Sequence, residues 1–187
     1  MIGTFFNRLN NWPSKKLTRF LLIFGIILFI IIIPLMVIFY ELSHYPVSFF
    51  ESQLSFSGEV IKSHFSTMNA KELDYYFIWL IVDYGFMLGF GIIYFSFNLI
   101  LARKFDESSR WRKLGYLGAF FGILYFCCDA TENIFIFTML NDPLGFPDIL
   151  ALTHSWIALV KFIFNFSSAF LAIGAVIILV IRREKQS

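Results

Sequence analysis

Four long apolar runs, Phe20–Tyr40, Tyr75–Ala102, Leu114–Leu140 and Ile149–Ile181, constrain this chain more than any other feature. About 20 consecutive apolar residues in a helix cross the ~30 Å hydrocarbon core of a bilayer. In a chain of 187 residues, 58% are hydrophobic and the mean hydropathy is +0.73, whereas soluble domains are roughly 45–50% apolar. The expectation is an all-α integral membrane protein, a four-transmembrane-helix bundle forming one membrane domain over residues 1–187. Basic residues precede the first run, as in a signal peptide. However, the run outlasts a signal core of about 7–15 residues, and no small-residue cleavage site follows. Pro34 lies inside it and predicts a kink.

Charge sets the direction of the spans. Arg8, Lys15, Lys16 and Arg19 precede the first run, and Arg103, Lys104, Arg110, Arg112 and Lys113 fill the second loop. Arg182, Arg183 and Lys185 follow the fourth run. The first loop sets only Lys62 and Lys71 against Glu51, Glu59, Glu72 and Asp74, and the third loop carries Asp142 and Asp148. This pattern predicts a multi-pass protein of the cell membrane with both termini cytoplasmic. The basic residues sit at the ends of apolar runs, which excludes a nucleic-acid patch.

Within the first outer loop, residues 41–74, Val60, Ile61, His64, Phe65 and Met68 recur at helical spacing. They predict a short amphipathic helix from Ser57 to Met68, suited to lying at the membrane interface. Asn69 and Glu72 have the spacing of a capping box that starts the helix of the second span. Cys127 and Cys128 are adjacent inside an apolar run, which suits neither a metal site nor a loop-closing disulfide. They read as buried small apolar side chains. Gly85 with Gly89, and Gly118 with Gly122, form small-xxx-small pairs for close helix packing.

The informative residues are the polar ones inside the runs. Charges at membrane depth are costly and usually face the bundle interior or water. Tyr125, Asp129, Glu132 and Asn133 fall on one helical face of the third span, and His154, Lys161, Asn165 and Ser168 on one face of the fourth. Asp83 and Tyr94, eleven residues apart, share a face of the second. A rise of ~1.5 Å per residue places Asp83 and Glu132 about 12 Å, and Asp129 and Lys161 about 16 Å, inside the outer boundary. His154 lies only about 6 Å inside, where an interfacial role suits it as well as site membership. Two readings stand. One is a structural knot, with Lys161 paired to Asp129 or Glu132 and the asparagines bonding across helices. The other is a site. Three carboxylates face one lysine, and buried surplus acid must be protonated, hydrated or compensated by a cation. His154, Asp129 and Glu132 suit a metal in ligand type, but the spacing within one helix is missing, so no metal is expected.

Asp83, Phe86 and Tyr94 in the second span, Asp129-x-x-Glu132-Asn133 in the third and Lys161-Phe162 in the fourth together resemble a group of uncharacterised four-span prokaryotic membrane proteins. The similarity covers roughly residues 55–181. It implies a four-helix fold and a shared polar site, and no particular activity.

There is no phosphate loop, nucleophile elbow or zinc-protease motif, so neither a catalytic role nor a cofactor is expected. The leading expectation is a non-catalytic pocket in the outer half of the bilayer for a small lipophilic or cationic ligand. Asp83, Asp129, Glu132, Asn133, Lys161, Asn165, Tyr94, Tyr125 and His154 would build it. Alternatives are proton- or cation-coupled transport, which four spans could support only as a homo-oligomer, and an accessory subunit of a membrane complex. A lipid enzyme using the acids for proton transfer ranks below these.

Overall fold

In a computed structural model the described residues, 8–184, form six helices and no strand. The long ones are α1 (Lys15–Leu42), α4 (Ala70–Ala102), α5 (Arg110–Leu140) and α6 (Asp148–Glu184). By length and composition, all four are long and apolar enough to cross a membrane. The first three begin four or five residues before their apolar runs, and α6 begins one residue before its own. Helix starts follow caps rather than hydropathy: Ser14, Asn69 and Ser109 accept from backbone N–H groups of the first turns. Asn69 and Glu72 form the expected capping box. Pro34 removes one backbone donor, yet α1 continues through it. Of the basic residues that set the direction of the spans, Lys185 lies outside the described residues.

Two short helices, α2 (Phe49–Gln53) and α3 (Gly58–Ser66), cover one end of the long helices, here called the capped end. The expected amphipathic helix is α3. Its apolar face is not left for a lipid surface: Ile61, Phe65 and Met68 pack with Tyr76, Trp79, Ile136, Met139 and Phe146. Val60, expected on that face, is exposed. The opposite, basic end is tied by Arg103, which donates to the carbonyls of Leu9 and Pro13 and to Thr18 Oγ1 at 2.7–3.1 Å.

Helices α4, α5 and α6 pack against one another, while α1 lies chiefly against α4. Glycine and alanine set these approaches. A Cβ on Gly115 would lie 2.7 Å from Ala102 Cβ, and one on Gly122 2.7 Å from Tyr94 Cβ and 3.0 Å from the Phe95 nitrogen. Gly89 likewise backs onto Gly25 and Phe29 of α1. The outward face of α1, with Phe20, Ile23, Ile27, Ile30 and Ile31, is exposed.

Cys127 and Cys128 depart from expectation. Both are free, with Cys127 exposed and Cys128 half-buried. Cys127 precedes Asp129 by two residues, about 200° around the helix, so the turn that buries the acid swings this thiol outward.

Gly122→Ala should lower thermal stability in detergent by about 1–3 kcal/mol through overpacking. Ile30→Ala, on the exposed face of α1, should stay within about 0.5 kcal/mol. Equal melting temperatures for the two variants would contradict this packing.

Candidate functional site

The buried stripe of α5 carries Tyr125, Asp129, Glu132 and Asn133, and that of α6 carries His154, Ala158, Lys161 and Ser168. Asp83 faces them from α4. Glu132 lies about 12 Å from its helix end and Lys161 about 20 Å from its own, counted by rise. Side-chain lean closes the gap. Helical side chains tilt toward the helix N-terminus, and α5 and α6 run in opposite directions, so Lys161 leans toward the capped end while Glu132 leans away from it.

Lys161, 2% exposed, donates to Asp129 Oδ1 at 3.1 Å and to Gln53 Oε1 at 2.9 Å, and it contacts Glu132 Oε2. An ammonium has three N–H donors; two are taken by Asp129 and Gln53, and Glu132 adds an ion pair. Phe162 and Phe49 present their rings 5.0 and 5.6 Å from Nζ. Glu132 is fully buried, with its other oxygen 3.1 Å from His154 Nε2. Its two contacts are electrostatic and not well-aligned hydrogen bonds. Asp83 accepts from Asn133 Nδ2 at 2.7 Å and has no ion pair among the described residues. Tyr125 reaches Asp129 through its hydroxyl.

Nine residues are candidates by sequence. Seven converge here: Asp83, Tyr125, Asp129, Glu132, Asn133, His154 and Lys161. His154 is fully within the cluster, not at its rim, because its partner Glu132 lies near the same helix end. Tyr94 and Asn165 form a separate pair, with the Tyr94 hydroxyl donating to Asn165 Oδ1 at 2.7 Å. One turn nearer the basic end, Asn98 donates to Ser168 Oγ at 3.1 Å, and Ser168 donates to the Gly118 carbonyl at 2.9 Å. Edge contact between the Tyr94 and Tyr125 rings, 6.1 Å between centroids, joins this ladder to the cluster.

Gln53 has no distinctive sequence signal, whereas Asn98 carries one that the candidate set leaves out: it is a polar residue inside the second apolar run, four residues after Tyr94. Gln53 is 2% exposed, although it belongs to the loop between the first two apolar runs. A capping box between Ser48 and Glu51 starts α2. Phe49 packs edge-on to Trp79 and Phe50 tilts against Phe162, at 5.7 and 5.2 Å. Beyond α2, Phe56 donates its N–H to Ser155 Oγ at 3.1 Å from a left-handed conformation, φ 51°. That conformation is rare for a bulky residue and costs of order 1–3 kcal/mol.

Several buried polar atoms here have no hydrogen-bond partner among the described residues: Gln53 Nε2, Asn133 Oδ1 and His154 Nδ1. No group of three or more His, Cys, Asp or Glu side chains among the described residues could hold a metal ion.

Lys161→Met should cost about 3–5 kcal/mol of thermal stability, since it strands Asp129 and Glu132 without their cation; an unchanged melting temperature would break this account. The cap should respond to acid. Its Ser48 hydroxyl and N–H hold the Glu51 carboxyl below its usual 4.5. A lowered folded pKa contributes stability above about pH 4.5 and loses it as pH falls through the folded value. Amide protection over residues 49–53 should therefore fall on acidification before protection of the long helices does. Simultaneous loss in both would contradict an independently held cap.

The chain matches no family model, no curated protein and no solved structure. Its function is therefore argued from the arrangement of its own residues.

Proposed function

We propose that this is a multi-pass protein of the cell membrane, both termini cytoplasmic. The cluster beneath α2 is a non-catalytic binding site for a small cationic or lipophilic ligand that enters from the outer side. Four helices of spanning length and apolarity support the first part, as does the bias of basic residues toward one end. The observation that carries the second is unspent polar capacity. Among the described residues, Asp83 has only an amide partner, and Gln53 Nε2, Asn133 Oδ1 and His154 Nδ1 are buried without hydrogen-bond partners. A purely structural knot satisfies its own donors and acceptors, because each unmet one in low dielectric costs about 1–3 kcal/mol.

In this reading Lys161 holds Asp129 and Glu132 in place, Asp83 and Asn133 receive the cationic part of the ligand, and the Phe49 and Phe162 rings cover it. Segment 49–56 is the door, closed over the cluster by Gln53 and by the strained turn at Phe56. The Asp-x-x-Glu-Asn motif would be the mark of the same site in the four-span group that this sequence resembles.

A second reading, proton- or cation-coupled transport by a homo-oligomer, draws on the ladder Tyr94–Asn165 and Asn98–Ser168, which extends polar groups toward the basic end. A monomer in native mass measurements would count against it. An accessory role in a larger complex has no such observation behind it.

Asp83→Asn tests the site directly. The amide keeps an acceptor for Asn133 and removes the surplus charge, so stability should be unchanged or raised. A loss of about 3–5 kcal/mol, like that expected of Lys161→Met, would mean that Asp83 is structural.

A further inference from the structure

At the basic end, far from the acidic cluster, the starts and ends of two helices enclose a second feature. A cavity of about 150 Å³ is lined by Lys15, Thr18 and Arg19 of α1 and by Ile100, Arg103 and Lys104 at the end of α4. Four of its six lining residues are cationic, and none has an acidic partner among the described residues. Lys15, Arg19 and Lys104 are exposed. Arg103 is half-buried and fixed by the Leu9 and Pro13 carbonyls and Thr18, so one cation is rigidly placed while three remain free to close.

Like charges held together without a counter-charge repel, and an anion would relieve that repulsion. The neighbouring surface says which anion. Ile100 forms the apolar wall of the cavity, and the same faces continue away from the basic end through Leu22 and Ile26 of α1 and Ile93 and Phe97 of α4. Ile26 and Phe97 are exposed, and Ile93 lies against α1 at Gly25. A phosphate in the cavity would thus sit at the head of an apolar track, the pattern of basic pockets between spanning helices that hold anionic headgroups.

We infer that this cavity binds the phosphate headgroup of an anionic phospholipid, with its acyl chains along the α1–α4 seam. The inference rests on the membrane placement proposed above and is independent of the acidic site. The full chain is reconstituted into nanodiscs with equal phosphatidylglycerol and phosphatidylcholine. Lipid retained after release into detergent is then counted by native mass spectrometry. The wild type should retain phosphatidylglycerol several-fold over phosphatidylcholine. K15Q/R19Q/K104Q should lose that preference, while R110Q/K113Q, at the same end but outside the cavity, should keep it. Glycerol phosphate in solution should not displace the lipid.

Equal retention of the two lipids by the wild type would overturn the inference. So would an equal loss in both variants, which would mean diffuse surface charge. Displacement by glycerol phosphate would assign the cavity to a soluble anion instead. Circular dichroism of each variant reports folding, and R103 is left intact because it ties the N-terminal segment. Failure of the wild type to enter nanodiscs would instead refute the membrane placement, and this inference with it.

Discussion

The Lys161 ammonium has three protons to donate, and two separate segments of the chain supply what it meets: Asp129 and Glu132 on α5 and Gln53 on α2. A lysine so far from solvent is tolerated only when its charge is matched and its donors are spoken for. That requirement fixes much else. Helices α5 and α6 must be antiparallel, so that their side chains lean toward each other. They must also approach closely, and the small buried residues Ala151, Ser155 and Ala158 on α6 permit it. The loop before α4 must fold back far enough to bring Gln53 to the charge.

The same constraint explains the division of labour among the helices. Among the described residues the buried ionisable side chains Asp83, Asp129, Glu132, His154 and Lys161 are confined to α4, α5 and α6, which pack together, and α1 adds a mainly apolar flank against α4 through Gly25 and Gly89. The capped end is built from aromatic contacts, with Tyr45, Tyr76 and Trp79 stacked or tilted against one another at 4.7–5.5 Å. Such packing can shield charge without competing for its hydrogen bonds. The cap is nevertheless the least regular part of the fold, a five-residue helix followed by a strained turn. That is the place where access to a buried site would be controlled.

Much of this was legible in the sequence, because hydrophobic period and cap chemistry are local. The four long helices, the Asn69–Glu72 box and the polar stripes of α5 and α6 follow from residues within a few turns of one another. Counting rise brings Asp83, Glu132 and Lys161 toward one level, and the opposed lean of side chains on the antiparallel α5 and α6 completes the layer. What could not be read is what depends on a loop returning in three dimensions. Gln53 is an unremarkable polar residue in a loop until Phe49 and Phe50 anchor their helix beside α6. The expectation for Cys127 treats an apolar run as uniformly buried, whereas this thiol lies on the exposed face of α5. Tyr94 and Asn165 share faces with the cluster residues but pair with each other farther along the helices, since a shared face says nothing about depth.

The central claim is that the Lys161 cluster has polar capacity left for a ligand. It is tested most directly by asking what travels with the protein. Small molecules and lipids extracted from the purified wild-type chain would be identified by mass spectrometry and compared with those from Asp83→Asn. The account predicts a specific molecule, present in near-stoichiometric amount with the wild type and lost from the variant. Identical extracts from both proteins, with no molecule that depends on Asp83, would contradict it and leave the cluster as a structural knot.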